Sequence, residues 1–415
     1  ELSEREGKLF ADLAIGADVA GAKTLLAMSE ISSPGVKLHG AGFIVTEDEA
    51  QALGSGREPG LESVIRDYRN GRDLTQSPRG VKVIDLFGLS VEQVRERYPA
   101  LYQRVLERVK PERDQNKRAT YRDHWWIFGE PRKDWRAMSA GLNRYIATVE
   151  TMRHRIFVWL DMAILPDNKL INFALDDAFF LGVLSSSIHT RWAMATGSWL
   201  GVGNDSVYVK TRCFETFPFP AASDTQIARI RDLAEQIDAH RKRQQAQHPS
   251  LTLTGLYNVL DAQRRGTALT DKERVINSQG LVSLLAELHD QLDTAVFDAY
   301  GWDDLAEHLV GRPGATCPWP DKPAAQIEAE EALLMRLVAL NAERAAEEAQ
   351  GQIRWLRPEY QNPEQESANQ PAQQAADLDQ PEQPMTLATS KKTKAFPAAR
   401  AGMREQIAAV RAALG

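Results

Sequence analysis

The chain has 415 residues, of which 43% are hydrophobic and 26% charged, an ordinary balance for a soluble protein large enough to bury a core. No apolar run approaches the roughly 18 residues of a membrane span, and no signal peptide is visible. Two cysteines, Cys213 and Cys317, exclude a disulfide framework and a four-cysteine zinc site and fit a reducing cytoplasm. The net charge of −7 hides a division: residues 61–160 carry 20 Lys/Arg against 13 Asp/Glu, and residues 321–383 carry 5 against 13. Phosphate binding follows the local field, so a basic segment can meet nucleic acid inside an acidic chain. A solvated helical surface explains the same numbers.

In chain order, residues 1–58 hold one clear strand, Ala41–Thr46. Thr46 then caps a short helix over Glu47–Leu53, with Glu49 at the capping-box position. In residues 59–220 the Asn70-Gly71 dipeptide, between Arg69 and Arg72, predicts a turn. Val81–Phe87 reads as a strand. Val91–Val109 reads as a helix that Pro99 kinks or splits. Strands are expected at His124–Phe128, Arg144–Thr148, Ile156–Leu160, Leu170–Ala174 and Phe179–Leu184. A helical stretch with Trp192 and Met194 follows, then a loop with Gly197, Gly201 and Gly203, and an alternating run, Val207–Lys210. Phe217-Pro-Phe-Pro220 closes the segment. The fold class is therefore α+β, built around a mixed or antiparallel sheet.

Residues 221–360 read as helical. Ser223 caps a helix with Ile227, Ile230, Leu233 and Ile237 at helical spacing. Thr270-Asp-Lys-Glu273 is a capping box. Leu281–Tyr300 is amphipathic and stops at Gly301, and a further helix covers Ala324–Ala349. From 361 the composition turns to Gln, Pro, Glu and Ala, which predicts a disordered tail. It ends in basic Lys391–Lys394 and a short terminal helix, Met403–Leu414.

Several strings together resemble one family: Asn70-Gly-Arg-Asp-Leu74, Val83-Ile-Asp-Leu-Phe87, the run from Arg95 to Pro131 ending WWIFGEP, Leu165-Pro-Asp-Asn-Lys-Leu170, residues 185–220, Leu251-Thr-Leu-Thr-Gly-Leu-Tyr-Asn258 and Leu340-Asn-Ala-Glu-Arg-Ala-Ala-Glu-Glu348. In that order they resemble the C-terminal portion of MmeI-like adenine DNA methyltransferases of fused restriction–modification and phage-defence systems. Residues 303–330 depart from the pattern and read as a local insertion. The resemblance implies four segments: the end of the methyltransferase domain and a linker at 1–58, a target recognition domain at 59–220, a helical C-terminal domain at 221–360 and the tail at 361–415. It also implies that double-stranded DNA is the partner, together with an upstream catalytic domain and other defence-system subunits.

The family binds S-adenosylmethionine on a glycine-rich turn and holds adenine with an Asn-Pro-Pro-aromatic motif. Neither is in this sequence; Asn362-Pro363 is followed by Glu364. The resemblance therefore implies that the cofactor is bound by the upstream domain, with no catalytic or cofactor residue in this chain. Two other readings stay open: a non-enzymatic DNA-binding specificity module, and a helical interaction scaffold of a defence complex.

Reading base edges needs Arg, Lys, amide or acidic side chains on a well-held element. The glycine-bearing loop and its flanks supply Arg191, Ser198, Asn204, Asp205, Tyr208, Lys210 and Arg212. Arg153, His154 and Arg155 form a second basic cluster, and Arg69 and Arg72 flank the Asn-Gly turn. Each also has a bland reading as a turn residue or a solvent-facing strand position. Trp125, Trp126 and Phe128 read as core rather than as a stacking platform. His289 and Asp293, four apart on a helix, lack a third metal ligand in the sequence.

Overall fold

The computed structural model describes residues 8–9, 15–200 and 205–363. Its strands, in chain order, are β1 (Lys8–Leu9), β2 (Ile15–Gly16), β3 (Ser32–Pro34), β4 (Ile44–Val45), β5 (Ile65–Arg69), β6 (Lys82–Ile84), β7 (Arg144–Val149), β8 (Thr151–Met152), β9 (Val158–Asp161), β10 (Ile164–Pro166), β11 (Leu170–Phe173), β12 (Ser198–Leu200) and β13 (Asp205–Val207). The helices of the first half are α1 (Glu47–Ala52), α2 (Gly71–Thr75), α3 (Val91–Arg97), α4 (Pro99–Arg108), α5 (Lys110–Asp114), α6 (Ala119–Asp123), α7 (Lys133–Met138), α8 (Ala178–Ser185), α9 (Ser187–Thr196) and α10 (Lys210–Cys213). Those of the second half are α11 (Asp224–Gln247), α12 (Leu253–Arg264), α13 (Asp271–Gly280), α14 (Val282–Tyr300), α15 (Asp303–Leu309), α16 (Ala324–Ala349) and α17 (Pro358–Gln361). The fold is α+β, with mixed and antiparallel sheets followed by a helical half, as the sequence predicts. The expected tail and its Met403–Leu414 helix lie outside the described residues.

The central sheet has the order β3-β11-β7-β9 and is antiparallel throughout. Period-two alternation gives it two buried faces. Tyr145, Ala147 and Val149 of β7 join Leu160 and Leu170 against Trp135 and Met138 of α7. Ile146, Trp159, Ile171 and Phe173 face the other way, into a core shared with α8, α9, α11, α12, α14 and α16. That core runs unbroken across residue 220. A second sheet, β10-β5-β6-β4, is mixed, with β10 parallel to β5. It packs on α3 and α4 through Val94, Leu101 and Val105.

Capping signals hold up well. Thr46 and Glu49 close a reciprocal capping box on α1, as do Ser223 with Gln226 on α11 and Thr270 with Glu273 on α13. Pro99 splits the 91–109 pattern into α3 and α4.

Two expected strands are not strands. Phe179–Leu184 lies in α8, where all sides but one are buried, so its apolar run has no period to separate strand from helix. The missed signal is Asp177, whose Oδ1 accepts from the Phe179 amide at 2.9 Å as N-cap. His124–Phe128 is not a strand but a turn after α6. Trp125 and Phe128, three apart, still enter the core as expected, and the Trp126 Nε1–H donates to the Leu89 carbonyl at 2.9 Å. The strand expected at Ala41–Thr46 shrinks to β4 after a 3-10 turn at Ala41–Phe43. The run expected over Val207–Lys210 is divided between β13 and α10.

Gly182 of α8 crosses α11 so closely that a Cβ there would lie 2.5 Å from Ile230 Cγ2 and 3.2 Å from the Ile230 carbonyl oxygen. Gly182→Ala is expected to destabilise the fold by about 2 kcal/mol, against the usual helix preference for alanine. Urea unfolding of the two proteins measures this; an unchanged or raised midpoint would contradict the packing.

Candidate nucleic-acid interface

The small sheet β12-β13-β8 carries Ser198 and Asp205 of the expected DNA contacts, and Arg153, His154, Arg155 and Tyr208 follow its strands in the chain. β8 pairs with β13 through Met152↔Ser206 and Val207↔Thr151, and β13 pairs with β12 through Trp199↔Ser206. The expected loop is therefore a β-hairpin. Residues 201–204, with Asn204, lie outside the described residues. Ser198 is exposed and Asp205 half-buried.

Four expected contacts are interior residues, and their burial corrects the sequence reading. Arg155 is 2% exposed. Its guanidinium donates to Thr148 Oγ1 at 3.2 Å, the Val149 carbonyl at 2.5 Å, and the carbonyl and hydroxyl of Ser206 at 2.9 Å each. It fastens β13 to the end of β7. Burial pushes its pKa down to about 10, so it stays charged at neutral pH. His154 is held by Thr316 Oγ1 at 3.0 Å on Nδ1 and by Asn258 Oδ1 at 2.8 Å on Nε2, and burial lowers its pKa to about 4. Tyr208 stands against His189 Nε2 at 2.9 Å, deep in the core. Arg191 reaches Glu330 at 3.2 Å and the Leu309 carbonyl at 3.3 Å.

The remaining candidates divide. A cleft of about 480 Å³ brings Arg72 and Arg153 together, with Asn70, Lys169, His154 and Thr254 on its walls. Arg72 and Arg153 are exposed, and neither side chain has an ion pair among the described residues. Arg69 ends β5 beside Pro166, next to the cleft. Lys210 is ion-paired with Glu215, and Arg212 borders a separate cavity beside Thr196 and Gly197.

Local chemistry builds the cleft. Asn70 is an N-cap rather than a turn residue: its side chain accepts from the Asp73 amide at 3.1 Å, and Asp73 returns the bond at 2.9 Å. Burial opposes the Asp73 charge, but the Arg79 guanidinium and two backbone amides outweigh it and lower its pKa. Gly71 lets α2 touch β7, because a Cβ there would stand 2.7 Å from Val149 Cγ1. Thr254 Oγ1 donates to the Thr75 carbonyl at 3.2 Å and braces α2 on α12. Lys169, missed in the sequence, adds a cation at the rim, shared with Glu150 at 2.6 Å. The segment read as an insertion supplies Thr316 to His154, and its Ala315 carbonyl accepts from Thr190 at 2.5 Å.

His289 is buried against the Tyr257 hydroxyl at 2.7 Å, and Asp293 accepts from the Ser187 amide at 2.7 Å. Burial holds the His154 pKa near 4, the His189 pKa near 3 and that of His289 well below its ordinary 6.5. The unfolded chain takes up protons on these groups from about pH 6.5 downward, while the folded chain does not. Stability present above pH 6.5 should thus be lost as pH falls toward 4, with His154 alone accounting for about 2 kcal/mol at pH 5. The thermal midpoint should drop from pH 7 to pH 5, and His154→Gln, less stable at pH 7, should show a shallower drop. A midpoint flat across that window would refute neutral burial.

Comparison with known proteins gives a fold relationship. No family model matches the sequence, and no curated protein does. Among solved structures, the chain is similar to the type IIL restriction-modification enzyme MmeI in complex with DNA, with a TM-score of 0.56 and 18% sequence identity. The match covers 80% of this chain and 38% of that one, so the chain spans well under half the length of the enzyme whose fold it shares.

Proposed function

We propose that this chain is the DNA-recognition region of a site-specific, S-adenosylmethionine-dependent adenine-N6 methyltransferase of a restriction–modification or phage-defence system. The observation that carries the reading is the fold shared with a restriction-modification enzyme on DNA over 80% of this chain. The exposed chemistry agrees with it. Arg72 and Arg69 suit phosphates, while Arg153 after β8, Ser198 on β12 and Asp205 on β13 offer mixed donors and acceptors, as base edges require.

The residues here do not fit the cofactor or the target adenine. Asn362-Pro363 only ends α17, with the Asn362 amide donating to the Pro358 carbonyl at 2.8 Å, and no Asn-Pro-Pro string occurs in the sequence. No methyl-transfer step is assigned to this chain; cofactor binding and base extrusion belong to the catalytic domain of the parent enzyme.

Two measurements test the reading. If about four to six phosphates are contacted, log K for duplex DNA should fall with log salt at a slope of roughly −4 to −5. Arg72→Ala should weaken all sequences alike and reduce the slope by about one. A flat salt response would sink DNA binding through this surface. In the parent enzyme, replacing Asp205 or Arg153 should change one base of the methylated site, costing about 1–3 kcal/mol of discrimination. The methylated-site logo reads this out, and an unchanged logo with lower total methylation would move base reading elsewhere.

A further inference from the structure

A second cavity, of about 540 Å³, opens on the opposite edge of the same small sheet. Its walls are the indole of Trp199 on β12, the indole of Trp319 between Pro318 and Pro320, and Leu334 of α16. Its floor holds Arg191 and Lys322, both paired to Glu330, so two cations face one carboxylate. Trp319 sits on a fixed shelf. The Pro318 carbonyl accepts from Arg265 at 3.2 Å, the Pro313 carbonyl from Gln326 at 2.8 Å, and Thr316 is bound to His154. Trp199 stands on β12, the edge strand of the small sheet, and is 39% exposed, an unusual degree of exposure for a tryptophan.

We propose that this slot takes an unpaired nucleobase of bound DNA between Trp199 and Trp319, with the adjoining phosphate toward Lys322. The inference rests on the DNA-recognition reading and adds an extrahelical base to it. Aromatic faces accept any base, and the excess of positive charge on the floor suits a nucleotide over an aliphatic peptide. Neighbouring strands lie about 4.8 Å apart, so β8, which leads into Arg153, and β12 are only about 10 Å apart across β13. A strand gripped at the cleft is therefore within reach of the slot.

The test uses the full chain and two duplexes, one fully paired and one with a single bulged 2-aminopurine. The chain should bind the bulged duplex about ten-fold more tightly and quench the probe by stacking. Trp319→Ala should lose both the preference and the quenching while keeping its affinity for the paired duplex, and Trp319→Phe should retain most of each. Trp199→Ala, on the outer hairpin, gives the same readout if the Trp319 shelf is needed for folding. Equal binding of both duplexes without quenching would overturn the slot and leave DNA recognition standing. Failure to bind either duplex would overturn both. A proline-rich peptide that binds the slot and leaves the bulged base unquenched would assign it to a protein partner instead.

Discussion

The guanidinium of Arg155 is the joint on which the interface depends. It lies in the interior without a carboxylate among the described residues, held by the oxygens of Thr148, Val149 and Ser206 and facing the Tyr208 ring 5.1 Å away. A charge buried this way persists only when its hydrogen bonds are met, and here they come from both sides of a seam. One side is the end of β7, anchored in the central sheet. The other is β13, the inner strand of the hairpin. The basic residue that the sequence offers as a contact is thus what holds the hairpin in place.

The neighbouring residues extend the same logic. His154 is neutral and spent on Thr316 and Asn258, which tie the end of β8 to the 310–323 segment and to α12. Arg191 anchors α9 to α15 and α16 through Leu309 and Glu330. The helical half is therefore a buttress for the small sheet, and the unbroken core across residue 220 is its apolar counterpart. The 303–330 segment, read as an insertion, belongs to that buttress.

What the sequence made legible follows from range. Caps at Thr46, Ser223 and Thr270 and the break at Pro99 depend on residues within one turn of each other, so local chemistry decides them. Phe179–Leu184 failed because complete burial erases periodicity. Asn70 failed because the same residue suits a turn and a cap, and only its bond to Asp73 separates the two. The site was half legible. Arg72 and Arg153, separate candidates in the sequence, share one cleft, but the sequence cannot tell an exposed arginine from one that binds backbone carbonyls. Lys169, Thr254, Thr316 and Trp319 went unseen because folding alone brings them to residues 70–76, 153–154 and 199.

Strand alternation explains how buried and exposed residues coexist at such short spacing on β13. Successive side chains point to opposite faces. Ser206 turns inward, with its hydroxyl donating to the Met152 carbonyl at 3.1 Å and accepting from Arg155, while Asp205 stands partly in solvent. Arg153 is exposed and Arg155 buried because the chain leaves β8 after Met152 and bends at residues 153–154, which breaks the alternation. Among the described residues the side chains of Asp205 and Arg153 make no hydrogen bond or ion pair to the frame, so exchanging them should alter stability little, typically within about 0.5 kcal/mol for surface sites. The inward ones are locked by several oxygens each. On β13 the partly exposed Asp205 can be exchanged without loosening Ser206, because successive residues of the strand face opposite ways.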